Sequence, residues 1–138
     1  MNEIADFDYD RFISLQQVNL AHYMEAVIRN RSALVPGELL DRLLSELPRY
    51  DGYHLAYALQ IGFDRSPEAF LPRLPHYLAS AEAGVCSTVY NILDHLPASQ
   101  VTQELVDSVR AVVSLGLPWK GLADIVDKLD ARLKAQPR

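Results

Sequence analysis

Gly84-Val85-Cys86-Ser87-Thr88-Val89-Tyr90-Asn91-Ile92-Leu93-Asp94-His95-Leu96 is the stretch that decides the fold class. Val85, Val89, Ile92 and Leu96 fall on one line at helical spacing, flanked by Cys86 and Leu93, the stripe an α-helix buries. A second apolar stripe, Phe70-Leu71-Pro72-Arg73-Leu74, precedes it, so Gly84 opens the second member of a pair. The same arrangement recurs twice. Leu39-Leu40-Asp41-Arg42-Leu43-Leu44 leads to a restart at Gly52, and Leu105-Val106-Asp107-Ser108-Val109-Arg110 leads to one at Gly121. The restarts are roughly thirty-odd residues apart, the period of stacked helical hairpins.

Working outward, the spacing predicts one long helix over Asp8–Arg31, with Phe12, Ile13, Leu20, Tyr23, Met24 and Val27 on one side. Leu15 and Val18 point elsewhere, which predicts contacts on more than one side. Pro36 suits the first turn of a helix ending near Leu47. Asp51 is then the expected cap of a helix over Gly52–Phe63. Ser66-Pro67-Glu68 has the cap, first-turn proline and early acid of another helix start. Pro72 and Pro75 should break that helix. Ser99 is the expected cap of a helix to Leu115; after the turn Gly116-Leu117-Pro118-Trp119, a last helix spans about Gly121–Lys134. No stretch alternates as a strand would. The expectation is a single all-α domain over residues 1–138. An N-terminal helix occupies 8–35, and stacked antiparallel hairpins occupy 36–134, about seven helices in all. Leu43, Leu55, Leu59, Val89, Ile92 and Leu93 should be buried.

Composition narrows the class of function. Of 138 residues, 49% are hydrophobic and 22% charged, which is ordinary for a folded domain. The unbroken apolar runs are too short to span a membrane, and Met1-Asn2-Glu3-Ile4-Ala5-Asp6 lacks the basic start and apolar segment of a secretory signal. The one cysteine, Cys86, fits a reducing compartment, so a cytoplasmic location is expected. A net charge of −5 disfavours direct binding to nucleic acid, which needs phosphate neutralisation, and favours approach to a basic partner.

Catalytic chemistry finds little footing. Asp6, Asp8 and Asp10 imitate the opening of a calcium loop, but the glycine and bidentate glutamate that such a loop needs are replaced by Arg11 and Gln17. An acidic helix start accounts for them better. His22, His54, His76 and His95 show no metal-ligand spacing. Asp94 and His95 are helix neighbours, pointing about 100° apart. Cys86 lies on the buried flank, away from His95. No phosphate loop, nucleophile elbow or dinucleotide fingerprint is present. The arginines alternate with acids instead of forming a stripe. The expectation is a protein that is not an enzyme and takes no metal or cofactor.

Aligning the three restarts exposes a second, polar line. Opposite the apolar side lie His54, Tyr57, Gln60 and Ile61 after Gly52, then Ser87, Tyr90, Asn91 and Asp94 after Gly84. After Gly121 the positions are Asp124, Asp127, Lys128 and Ala131. In stacked hairpins such positions form one strip. Tyr57, Tyr90, Asn91, Asp94, Asp124 and Asp127 are therefore the candidate partner-binding residues. Tyr supplies contact area with a polar tip, and Asp can pair with a partner's Arg. The alternative is that the tyrosines half-bury against neighbouring helices and the acids solvate the outside.

Leu-rich first helices, glycine-initiated second helices and loop prolines over Pro36–Lys134 together resemble short HEAT-like repeats, an α-solenoid arrangement. Within that pattern, Gly84–Pro97 makes the chain most similar to bacterial immunity proteins of interbacterial toxin systems. The resemblance implies a cytoplasmic protein that binds one toxin domain and blocks its active site or assembly. Toxins of this kind are often nucleases, whose basic surfaces an acidic partner complements. Two other functions stay open: a helical-repeat adaptor or scaffold that inhibits nothing, and a hydrolase with an unrecognised acid cluster. A toxin-encoding gene neighbour separates the first two; a bound cofactor or deep polar pocket would point to the third.

Overall fold

The computed structural model describes residues 7–30 and 35–136; the expectations that involve Asp6 and Arg31 lie outside them. Helices are the only regular elements among the described residues. They are α1 (Tyr9–Ser14), α2 (Gln17–Arg29), α3 (Gly37–Glu46), α4 (Gly52–Arg65), α5 (Pro67–Phe70), α6 (Leu74–Tyr77), α7 (Ala83–Asp94), α8 (Gln103–Ser114) and α9 (Ile125–Lys134). The number is close to the expected seven but is reached differently: the N-terminal helix is two, and the helix expected from Ser66 onward is the pair of single turns α5 and α6. The chain divides into two compact units, Met1–Phe70 and Leu71–Arg138.

In the first unit, α4 packs against α2, α3 and α5. That central place explains why Leu55, Ala56, Ala58, Leu59, Ile61 and Gly62 are all buried. Ile61 had been expected on the polar side; a helix with neighbours on several sides has no broad polar side to offer. Gly62 is dictated by packing, because a Cβ there would overlap the Phe70 ring. Gly52 opens α4 at φ +50°, a left-handed conformation that glycine enters at no steric cost.

The N-terminal segment is two helices, not one. Leu15 and Gln16 are extended and separate α1 from α2. Asp8 caps α1 through its side chain, which accepts from the Arg11 amide at 3.2 Å. The break lets Phe12 enter an aromatic cluster with Phe7, Tyr9, Tyr50 and His54. His54 Nε2 donates to the Phe12 carbonyl at 3.1 Å, and the Tyr23 hydroxyl accepts from the Asp8 amide at 2.8 Å. Val18 finds no such cover and is 63% exposed.

In the second unit, α6 packs on α7 and α8 on α9. Successive pairs also stack first on first (α6 on α8) and second on second (α7 on α9). This is the contact pattern of a helical repeat. The core is aliphatic: Val85, Val89, Ile92, Leu93, Val106, Val109, Ile125 and Leu129 are buried. Leu43, Leu55 and Leu59 are buried as expected in the first unit. Pro72 and Pro75 do interrupt their helix, through a 3-10 turn at Leu71–Arg73. Two helix starts differ from expectation. Ser99 lies in a 3-10 turn, while Thr102 caps α8, its hydroxyl accepting from the Leu105 amide at 3.1 Å. Gly121 sits in another 3-10 turn, so α9 begins at Ile125. No helix among the described residues is long and apolar enough to cross a membrane.

Candidate partner-binding site

Five of the six candidate residues belong to the second unit, on α7 and around the start of α9. Three of them converge. The Tyr90 hydroxyl donates to Asp124 Oδ1 at 2.8 Å and accepts from Lys128 Nζ at 2.8 Å. Lys128 also reaches Asp94 Oδ1 at 3.2 Å and Asp124 Oδ2 at 3.6 Å, and its ammonium lies 5.2 Å from the centre of the Tyr90 ring. Arg132 closes the far side. Its Nη1 donates to the Leu93 carbonyl at 3.0 Å, its Nη2 to the Asp94 carbonyl at 2.6 Å, and the guanidinium lies 3.9 Å from the Asp94 carboxylate. It thereby adds a donor to two carbonyls at the end of α7, of which Leu93's also accepts from the Leu96 amide at 3.2 Å.

Tyr90 and the acids accordingly hold Lys128 well above the ordinary lysine range, the phenol contributing most and Asp94 next. Asn91 and Asp127 stay exposed on the same two helices. Asn91 lends its carbonyl to His95, whose Nδ1 donates to it at 2.8 Å. Tyr57 belongs to α4 of the first unit and is half-buried; burial pushes its phenol above the ordinary tyrosine range, with Glu25 and then Tyr53 adding to the shift.

The local charge balance departs from the strip's acidic pattern. Asp94, Asp124 and Asp127 stand beside Lys128 and Arg132, and the neighbouring Asp130 pairs with Lys134 at 2.8 Å. By unit, Met1–Phe70 holds eleven acidic against six basic residues, a formal −5. Leu71–Arg138 holds seven against seven, a formal zero. The chain's negative balance therefore resides wholly in the first unit. Lys128 is on the expected polar line, but its bonds to Tyr90 and Asp94, and those of Arg132 to the end of α7, cross the α7–α9 contact and do not show on one helix face. Tyr53, one turn before Tyr57 and 53% exposed, is outside that line.

The other chemistry is quiet. Cys86 is buried, its thiol donating to the Ala83 carbonyl at 3.4 Å, and burial raises its pKa, which opposes thiolate chemistry. Among the described residues no group of His, Cys, Asp and Glu is placed to hold a metal ion. An open depression of about 510 Å³ is lined by Phe7, Asp8, Tyr9, Asp10, Leu39 and Arg42. Two of its three charged groups are already engaged: Arg42 stacks 4.0 Å from the Tyr9 ring centre and Asp8 caps α1. Comparison with protein-family models, curated proteins and solved structures gives no match.

Proposed function

We propose that this chain is a non-enzymatic protein-binding module that neutralises a basic partner, a toxin domain in the manner of an immunity protein, with Tyr57, Tyr90, Asn91, Asp94, Asp124 and Asp127 as contact residues. The observation that carries the reading is the state of Tyr90. Its phenol is held from both sides by Asp124 and Lys128. An aromatic side chain already fixed on the surface loses little rotamer freedom on docking, and rigid Tyr anchors dominate protein interfaces. Asn91 and Asp127 supply unengaged polar groups on the same helices.

The test is capture of the partner by the full chain, followed by binding measurements on variants and an assay of the partner's own activity. Tyr90→Ala should cost about 2 kcal/mol or more. Asp124→Ala and Asp127→Ala should chiefly slow association, by an amount that shrinks with added salt. Glu38→Ala, an exposed substitution in the other unit, is the control. Binding that is unchanged in every folded strip variant would refute the site. A partner that stays fully active in the complex would make the chain an adaptor instead.

A further inference from the structure

The second unit pairs Asp94, Asp107, Asp124 and Asp130 with its own cations; the first has far fewer such pairs. Among the described residues its only ion pair joins Arg49 to Glu46 at 3.4 Å, within one turn of chain. Glu25, on the exposed side of α2, has no cation within ion-pair distance among the described residues. Val18 lies two helical turns before it on the same side, and α2 packs on α4. Tyr53 and Tyr57 stand one turn apart on α4, and Glu25 is the charged group that acts on the Tyr57 phenol.

Elsewhere in this unit, tyrosine faces are covered by guanidinium groups: Arg42 over Tyr9 at 4.0 Å and Arg11 over Tyr23 at 4.8 Å. No described cation stacks on Tyr53 or Tyr57. Where α2 packs on α4, Glu25, without a cation among the described residues, thus acts on Tyr57; Tyr53 stands one turn from Tyr57 and the 63% exposed Val18 two turns from Glu25, all in the unit that carries the whole negative balance. Arginine fits these groups better than lysine does. Its plane stacks on a ring while its fork bonds a carboxylate with two N–H groups, and its weak hydration lowers the cost of entry.

We infer that the α2–α4 face of Met1–Phe70, centred on Glu25, Tyr53 and Tyr57, is a docking surface for an arginine-bearing segment of a basic protein partner. The inference rests on the reading of the chain as a binder of a basic protein. It moves the electrostatic contact to the first unit and adds Glu25 and Tyr53 to the candidate residues.

The experiment needs no captured partner. The full chain, labelled with ¹⁵N, is titrated with the capped peptide acetyl-Arg-Ala-Arg-Ala-Arg-amide and with its lysine counterpart while amide shifts are followed. Shifts should gather on α2 and α4. The arginine peptide should bind about two- to fivefold more tightly than the lysine peptide, and Glu25→Gln and Tyr53→Ala should each weaken it by a similar factor. Glu104→Gln, an exposed acid of the second unit outside the candidate site, should leave it unchanged. Both substituted side chains are exposed, so the fold should survive their replacement. Shifts centred on Leu71–Arg138, equal binding of the two peptides, indifference to both substitutions, or no binding would each overturn the proposal. The wider function fails separately, when the captured partner ignores the strip variants.

Discussion

Met1–Phe70 and Leu71–Arg138 are nearly equal in length and both wholly helical among the described residues, yet they are held together by different means. The first contains all four phenylalanines and five of the seven tyrosines, and Phe12 sits at 0% exposure within its aromatic cluster. The second has an aliphatic core and all but one of the ion pairs among the described residues. The difference bears on function. A carboxylate on an outward helix face has less charge to offer a partner when a neighbouring cation already pairs it. Lys128 pairs with Asp94 across the α7–α9 contact and with Asp124 within one turn of chain, so these acids also position Tyr90; Glu25 has no such cation among the described residues.

The sharpest way to test this division is to cut each core. Phe12→Ala removes the ring that Phe7, Tyr9, Tyr50 and His54 surround and should cost about 3–5 kcal/mol. Ile92→Ala should cost about 2–5 kcal/mol in the aliphatic unit. Urea unfolding with tyrosine and tryptophan fluorescence reads both, since Trp119 lies in the second unit. A loss under 1 kcal/mol at either position would break the core assignment there. Gly62→Ala comes next. The added methyl must displace the Phe70 ring, at a cost of about 1–3 kcal/mol, offset only in part by about 1 kcal/mol of helix propensity. A stabilised variant would show that α4 and α5 do not meet as described.

Alkaline titration separates the units further. Burial, followed by the bond to the Tyr9 phenol, raises the Tyr50 pKa well above the ordinary value of 10.0. The folded state therefore holds this proton more tightly than the unfolded one. The stabilisation is complete below the ordinary value and is lost as pH rises above it. Tyr50→Phe should flatten the fall in stability above pH 10.0, measured as urea midpoints across that range. An unchanged slope would place the alkaline sensitivity elsewhere. The smallest effect belongs to Lys128→Met. Exposed ion pairs contribute little and are screened by salt, so the midpoint should barely move at high salt, while the Tyr90 ring signals shift. A large loss of stability would mean that the α7–α9 ion pairs do more than position Tyr90.

The fold was legible where one face of a helix decides its place. Val89, Ile92 and Leu93 on α7 are the clearest case, and the prolines at 72 and 75 mark a break through the backbone alone. The Leu15–Gln16 break was not legible, because neither residue forbids a helix; it follows from where Phe12 and Tyr23 find partners. Ser99 and Thr102 are both competent caps, and only three-dimensional placement selects Thr102. The candidate site was legible as a set of outward positions. The cations beside it were not, because Lys128 reads as a member of the same polar line until α7 and α9 are brought together.

One amide near the end of the chain has a practical consequence. Gln136 Nε2 donates to the Val101 carbonyl at 2.7 Å and also to the Ala98 carbonyl, holding down the 3-10 turn Ala98–Gln100. A chain shortened to Lys134 keeps all of α9 but frees that turn. Proteases should then cut first near Ser99, well away in sequence from the truncation itself. An affinity tag appended after Gln136 leaves the amide in place, whereas one fused directly to Lys134 removes it.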